Sequence, residues 1–383
     1  MTLHYRQGSD SYDIIIARGI LSRAGEFFDL RRKVLVVTGE EVPEQYAAAV
    51  LAQCPEGHLL TIPEGEANKT LESVKLILTA LLEHGFTRGD AVIAVGGGVI
   101  GDTAGFAAAC YMRGINWYNV PTTLLSQADS SVGGKTGVNL NGVKNIVGAF
   151  RQPSGVLIDP ETLDTLSPRL FSEGMAEIIK MAATCDAEFF RLLETADSLR
   201  PIMEVILAAA LRIKIAVVEA DPQECGIRAV LNFGHTVGHA LEGMANRLTT
   251  TIPLHPQGTR GRNPLNPSVG HEGLLNPLEG VAADSGCKKS KITPGYYHGE
   301  AVAIGMLYMS EGEARDRLKA LLVKYGLPTE DNCGVDELIK YALHDKKMKG
   351  GKIKLVKLDE IGSFRFEEAG PEELRTIIQA RKK

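Results

Sequence analysis

Up to about residue 150 the chain alternates short β-branched runs with stretches of helical period, and this alternation constrains its fold more than any other feature. Residues 33–38 (Lys-Val-Leu-Val-Val-Thr) read as a buried strand, followed by a helix over 43–53. Residues 59–62 form a second strand, and 70–84 a helix with Val74, Leu78 and Leu81 on one face. A third strand over 91–95 runs into glycines and a helix of small residues. Alternation of this kind predicts a parallel sheet covered on both faces.

After Asp159 helical patterns dominate, at 169–183, 188–196, 202–219, 234–244 and 300–315. The expectation is an α/β dinucleotide-binding domain with a parallel sheet over 1–155, then a mostly α-helical domain over 156–383. Ligands of such chains sit in the cleft between the parts, near the carboxyl ends of the strands. One segment fits neither part: residues 249–294 hold six of the 17 prolines, six glycines and no aromatic residue. Residues 245–295 are therefore expected to be a disordered insert.

A length of 383 residues exceeds one average core, in line with two domains. The formal net charge of -5 argues against nucleic acid or an anionic membrane as partner, so an anionic ligand needs a local basic cluster. The six cysteines are scattered with no C-x-x-C, which speaks against a zinc ribbon or dithiol site and for a reduced, cytoplasmic setting. The apolar run at 14–17 is too short to span a bilayer.

Gly96-Gly-Gly-Val-Ile-Gly-Asp102 follows a strand and opens a helix, and Gly96, Gly98 and Gly101 fit G-x-G-x-x-G. These glycines let backbone amides approach a pyrophosphate, although a tight turn alone also explains them. No acid stands about 20 residues on, so the binding mode departs from that of the ordinary Rossmann dehydrogenase. Gly134-Lys135-Thr136 is not a P-loop, because Asp129 occupies the place of its first glycine. The stretch from Asp129 to Lys135 still reads as a glycine-rich loop that offers a lysine to a substrate.

His235 and His239 lie four apart on one helix face, with Glu242 three residues further. His298 opens another helix, and Glu177 offers a carboxylate. Two histidines and one glutamate around an open position make a catalytic zinc-type site. Lys180 shares a face with Glu177, and with Lys135, Lys144, Lys214, Arg228 and Lys346 the chain has enough basic groups for a substrate carrying phosphate and carboxylate. Taken singly, each lysine reads as readily as a surface residue with a buried stem.

Several stretches then recur in family order: Gly65-Glu-Ala-Asn-Lys69, Gly96 to Asp102, Val120-Pro-Thr-Thr-Leu-Leu-Ser-Gln-Ala-Asp129, Ser130 to Asn139, Lys144-Asn145, Gly174 to Lys180, Leu231-Asn-Phe-Gly-His-Thr-Val-Gly-His239, and His298-Gly-Glu-Ala-Val-Ala-Ile-Gly-Met306. Together they resemble the 3-dehydroquinate synthase family, from the first strand to about Gly362. The resemblance implies a homodimer that uses NAD and Zn²⁺ or Co²⁺, the metal held by Glu177, His235 and His298. It places NAD on Glu66, Lys69, Gly97, Gly98, Asp102, Thr122, Thr123 and Lys144. It places substrate on Asp129, Lys135, Asn145, Lys180, Lys214, Arg228, Asn232, His239 and Lys346, with Arg113 reaching the phosphate pocket of a partner subunit.

The implied reaction is a phosphorus–oxygen lyase step on 3-deoxy-D-arabino-heptulosonate 7-phosphate, in which NAD is borrowed and returned, phosphate leaves, and the ring recloses. Two departures stand out. Gly39 occupies a position where members often carry Asp or Asn, with Glu40 as the nearest substitute, and His235 and His298 are 63 residues apart. Loop closure entropy rises only logarithmically with length, so the insert is expected to leave the metal site intact. Other readings are a sister sugar-phosphate cyclase, a metal-dependent polyol or glycerol-phosphate dehydrogenase, and a catalytically inactive scaffold.

Overall fold

The computed structural model describes residues 1–8, 10–247, 295–344 and 351–382. The insert expected at 245–295 and the substrate residue Lys346 lie outside the described residues, apart from 245–247 and 295. The first part of the chain runs β1 (Thr2–Gln7), β2 (Asp10–Ile16), β3 (Lys33–Gly39), α1 (Glu44–Leu51), β4 (Glu56–Ile62), α2 (Leu71–Glu83), β5 (Ala91–Gly96), α3 (Gly98–Cys110), β6 (Asn116–Pro121), β7 (Lys135–Leu140), β8 (Val143–Phe150) and β9 (Val156–Ile158). There follow α4 (Pro168–Cys185), α5 (Ala187–Thr195), α6 (Met203–Ala220), α7 (His235–Arg247), α8 (His298–Tyr308), α9 (Gly312–Lys324), α10 (Val335–His344), β10 (Ile353–Lys357), β11 (Arg365–Ala369) and α11 (Pro371–Arg381).

The main sheet has the order β1-β2-β9-β6-β5-β3-β4. Only β1 and β2 pair antiparallel; the remaining neighbours are parallel. The period of two along each strand divides the side chains between two covers. Val34, Val36, Ile93 and Val95 pack with α1, whereas Leu35, Val37, Val92 and Ala94 pack with α2 and α3. Burial on both faces explains the unbroken apolar runs of β3 and β5. In α2 the buried face is Ser73, Val74, Ile77 and Leu81; Leu78, expected there, is half-buried.

The largest core gathers Tyr5, Tyr12, Ile14, Ile16, Val156 and Ile158 of the sheet with apolar faces of α4 to α10. The helical part thus packs directly on the β1–β2–β9 end of the sheet, which takes in residues beyond 155. Two hairpins have no counterpart in the sequence reading: β7–β8, and β10–β11 within the helical part. The single helix expected over 300–315 is two helices. Ser310 bridges to Leu358, Leu358 N donates to Met309 O at 2.9 Å, and Glu311 N donates to Leu358 O at 3.1 Å. These bonds to a distant segment replace helical ones, and Gly312 at φ 54 completes the turn.

Candidate active site

Three helices meet at a buried cluster of ionisable groups. α4 supplies Glu177 and Lys180, one turn apart; α7 supplies His235, His239 and Glu242; α8 begins at His298. Their approach depends on missing side chains. A Cβ at Gly305 of α8 would fall 1.9 Å from the carbonyl oxygen of Gly234, and one at Gly299 would fall 2.2 Å from that of Glu173 in α4. With hydrogen at both positions, α8 lies against α4 and α7, and His298 meets Glu177 and His235.

Glu177 Oε1 lies 3.7 Å from His235 Nε2 and 3.5 Å from His298 Nε2. Among the described residues this buried oxygen takes no hydrogen bond, while Oε2 accepts from Lys180 Nζ. Lys180 also donates to the Leu231 carbonyl at 2.7 Å. Ligand atoms of Glu177, His235 and His298 all fall within 4.8 Å of one another, as do those of His239, Glu242 and His298. The first group leaves an orphan carboxylate oxygen facing two imidazoles, which suits a divalent cation of the zinc type.

The electrostatics agree with that geometry. Burial, reinforced by Lys180 and the neighbouring histidines, holds His235 well below its ordinary pKa, so it presents a neutral imidazole. Burial also opposes charge on His298, but the Glu177 and Glu242 carboxylates on either side of the ring outweigh it and raise it to about 10. Glu177 is lowered to about 2 by Lys180 and His298 against the opposing effect of burial. Glu242 accepts from Lys144 Nζ at 3.1 Å and faces His298 Nδ1 at 3.3 Å, and it too is held ionised despite burial.

Beside this trio lies a basic network. Lys214 of α6 donates to Asp129 Oδ1 at 2.8 Å, and Asp129 is brought in by the tight turn after β6. Burial lowers Lys214, while Lys214 and Lys180 keep Asp129 ionised against burial. Lys135, the first residue of β7, pairs with Glu224 at 2.5 Å, and Glu224 accepts from Asn232 Nδ2 at 2.7 Å. Arg228 is buried; Nη1 donates to the Pro222 carbonyl at 2.6 Å, and among the described residues its Nε finds no hydrogen-bond partner.

The glycine turn stands at the carboxyl edge of the sheet. α3 starts behind Gly97 with no side-chain cap, which leaves first-turn amides for an anion. Thr122 N donates to Gly96 O at 3.0 Å, and Thr123 flanks Gly97 from just past the end of β6. Lys69, 4 % exposed, donates to Asp102 Oδ2 at 2.5 Å and to Asn145 Oδ1 at 2.6 Å. Glu66 accepts from Asn139 Nδ2 at 2.8 Å, and Asn139 Oδ1 accepts from Asn145 N at 2.8 Å. Lys144 joins this side to the metal-type cluster through Glu242.

The structure therefore brings together all the expected site residues it describes except one. Arg113 is exposed at φ 68 beyond the C-terminal end of α3, a helix of 13 residues and hence roughly 20 Å from the glycine turn at its other end. Two acids were not singled out as site residues from the sequence. Glu242 was legible as a helix-face neighbour of His239. Glu224 sits in an irregular turn at φ 58, where no periodic signal marks it.

A parallel sheet ending in an uncapped glycine turn, facing a helical array with a carboxylate–histidine trio, defines a nucleotide- and metal-using class of α/β enzyme. Family models for the 3-dehydroquinate synthase N-terminal and C-terminal regions match residues 59–173 and 174–251. A 3-dehydroquinate synthase of Enterococcus faecalis is 38% identical over 96% of each chain, and one of Sulfurovum sp. is 41% identical over 87% of this chain and 86% of its own. This chain belongs to the 3-dehydroquinate synthase family. Among solved structures, 2-epi-5-epi-valiolone synthase from Streptomyces hygroscopicus, with NAD⁺ and Zn²⁺ bound, matches at TM-score 0.78 and 25% identity over 98% of each chain. A 2-deoxy-scyllo-inosose synthase matches at TM-score 0.76 and 21% identity over 99% of each chain, a likeness of fold.

Proposed function

We propose that the chain converts 3-deoxy-D-arabino-heptulosonate 7-phosphate into 3-dehydroquinate and phosphate, a phosphorus–oxygen lyase reaction of the shikimate pathway. The observation that carries this reading is the orphan Glu177 oxygen facing His235 and His298, walled by Lys180, Lys214 and Asp129. Glu177, His235 and His298 fit Zn²⁺ or Co²⁺, and the uncapped α3 turn with Lys69 and Asp102 fits NAD. When bound, the metal supplies a Lewis acid for a ring hydroxyl, and NAD supplies a hydride acceptor that is regenerated each turnover.

The chain's own residues bind and orient. The buried Arg228, with an unbonded Nε, holds phosphate together with Lys135, His239 and Lys346. Lys214, Lys180, Asn145 and Asn232 fix the carboxylate and ring hydroxyls, and Asp129 holds Lys214 in place by its ion pair. Glu66, Gly97, Gly98, Thr122, Thr123 and the Lys144 segment cradle NAD. Arg113, remote from its own cluster, serves the phosphate pocket of a second copy in a homodimer. The same reading divides the chain into 1–155 and 156–383 and assigns it to the cytoplasm, in keeping with the free thiols of Cys54, Cys110, Cys185, Cys225 and Cys333. Among the described residues no helix is long and apolar enough to cross a membrane.

Phosphate release from the heptulosonate phosphate, with and without NAD and a chelator, tests the proposal. Release that requires both NAD and metal supports it, and no release under metal-replete conditions overturns it. Sustained NADH build-up at 340 nm would instead identify a dehydrogenase.

A further inference from the structure

The strand next to the glycine-turn strand β5 is β3, and its last residue, Gly39, lies at the same carboxyl edge as Gly96. In dinucleotide folds an acid at the end of the strand beside the glycine turn accepts hydrogen bonds from a ribose diol, and it disfavours a 2′-phosphate there. Gly39 has no side chain to do this. Glu40, which follows it, is exposed.

The space over Gly39 is filled from the neighbouring strand. Glu64 stands two residues past the end of β4 and folds back over β3, so that a Cβ at Gly39 would lie 2.2 Å from its Cδ and its Cγ. Its Oε2 accepts the Glu41 amide at 3.0 Å, and its carbonyl accepts from Asn68 Nδ2 at 2.6 Å. These two bonds fix the turn and the carboxylate together. Among the described residues no further hydrogen bond reaches the carboxylate, so it keeps acceptor capacity toward the edge of the sheet. Burial, opposed by the Glu41 amide and added to by Glu41 and Glu40, pushes the Glu64 carboxyl above its ordinary range. A pair of hydroxyl donors relieves that cost.

We propose that Glu64, seated over Gly39, is the ribose-diol acceptor of this chain and sets its preference for NAD over NADP. The inference rests on the dinucleotide reading above and adds to it a residue reached from the neighbouring strand. Glycine at 39 is what makes the arrangement possible, because any side chain there displaces the carboxylate.

The test is equilibrium binding of NAD⁺ and of NADP⁺ to the full chain by titration calorimetry, without turnover. Glu64→Gln is expected to weaken NAD⁺ about tenfold while leaving NADP⁺ unchanged or tighter. Partial unfolding would weaken both ligands together, so the opposite movement separates the two causes. Gly39→Asp in the Glu64→Gln background returns a carboxylate to the site and is expected to restore NAD⁺ affinity. If the parent protein binds NAD⁺ but Glu64→Gln leaves both affinities and their ratio unchanged, the role of Glu64 is overturned while the dinucleotide site stands. If the parent binds neither nucleotide, the reading of the dinucleotide site falls, and the role of Glu64 with it.

Discussion

Glu242 holds His298 from behind: its Oε2 faces the ring Nδ1 at 3.3 Å, while Nε2 on the far side of the ring faces Glu177. A carboxylate on one ring nitrogen fixes the orientation and tautomer that free the other for a metal. Glu242→Gln is therefore expected to weaken Zn²⁺ about 10- to 100-fold, read by competition with a coloured chelator. Unchanged Zn²⁺ affinity in the folded variant would remove Glu242 from the site.

Metal uptake and protonation compete at the same ring. In the metal-free protein His298 is raised from 6.5 to about 10, so the stability it contributes is full below its ordinary value and is lost as pH rises through about 10. A cation at Nε2 displaces that proton. Zinc binding at about pH 8 should release close to one proton from this residue, and affinity should rise with pH. Binding heats measured in buffers of different ionisation enthalpy give the number directly; zero protons released contradicts the arrangement.

The α7–α8 contact admits no methyl group at Gly305. Gly305→Ala forces a Cβ against the Gly234 carbonyl, and a backbone atom cannot swing aside as a flexible side chain does. The expected loss is about 1–3 kcal/mol in urea unfolding, with weaker metal retention, because parting these helices parts His298 from His235. A substitution on the exposed face of α9, such as Val323→Ala, is the control and should stay within about 0.5 kcal/mol of the parent.

Lys69 is the buried cation that joins Asp102 to Asn145. Lys69→Met leaves the Asp102 carboxylate without its ion pair, which costs about 3 kcal/mol when the charge remains. Burial already raises Asp102, and Lys69 is the chief opposing influence, so the variant's carboxyl rises further. A raised carboxyl pKa lowers stability as pH climbs above the ordinary Asp range. The deficit relative to the parent should thus be small near pH 4 and larger at pH 7, and chemical denaturation at the two values decides it.

The local parts of this protein are written in the sequence. Unbroken apolar runs at β3 and β5 announce strands buried on both faces, and the glycines after Val95 announce the turn into α3. The pair His235 and His239 announces a helix face built for ligands. Period and turn chemistry are properties of neighbouring residues, so they survive being read one segment at a time. Residue type and spacing offer Glu177, His235 and His298 as a ligand set, and family likeness points to the same three.

What only the tertiary structure decided are the contacts between residues far apart in the chain. Lys144 and Glu242 meet across 98 positions, and nothing local to either announces the bridge. The helix expected over 300–315 breaks because Leu358 bonds to its middle, and no pattern within those residues shows that competitor. Glu64 over Gly39 is of the same kind, since the sequence shows a missing side chain and points to the adjacent Glu40. Packing supplies the answer from the next strand, because parallel register sets Gly39 beside Ile62 and brings the turn that follows back across the edge of the sheet.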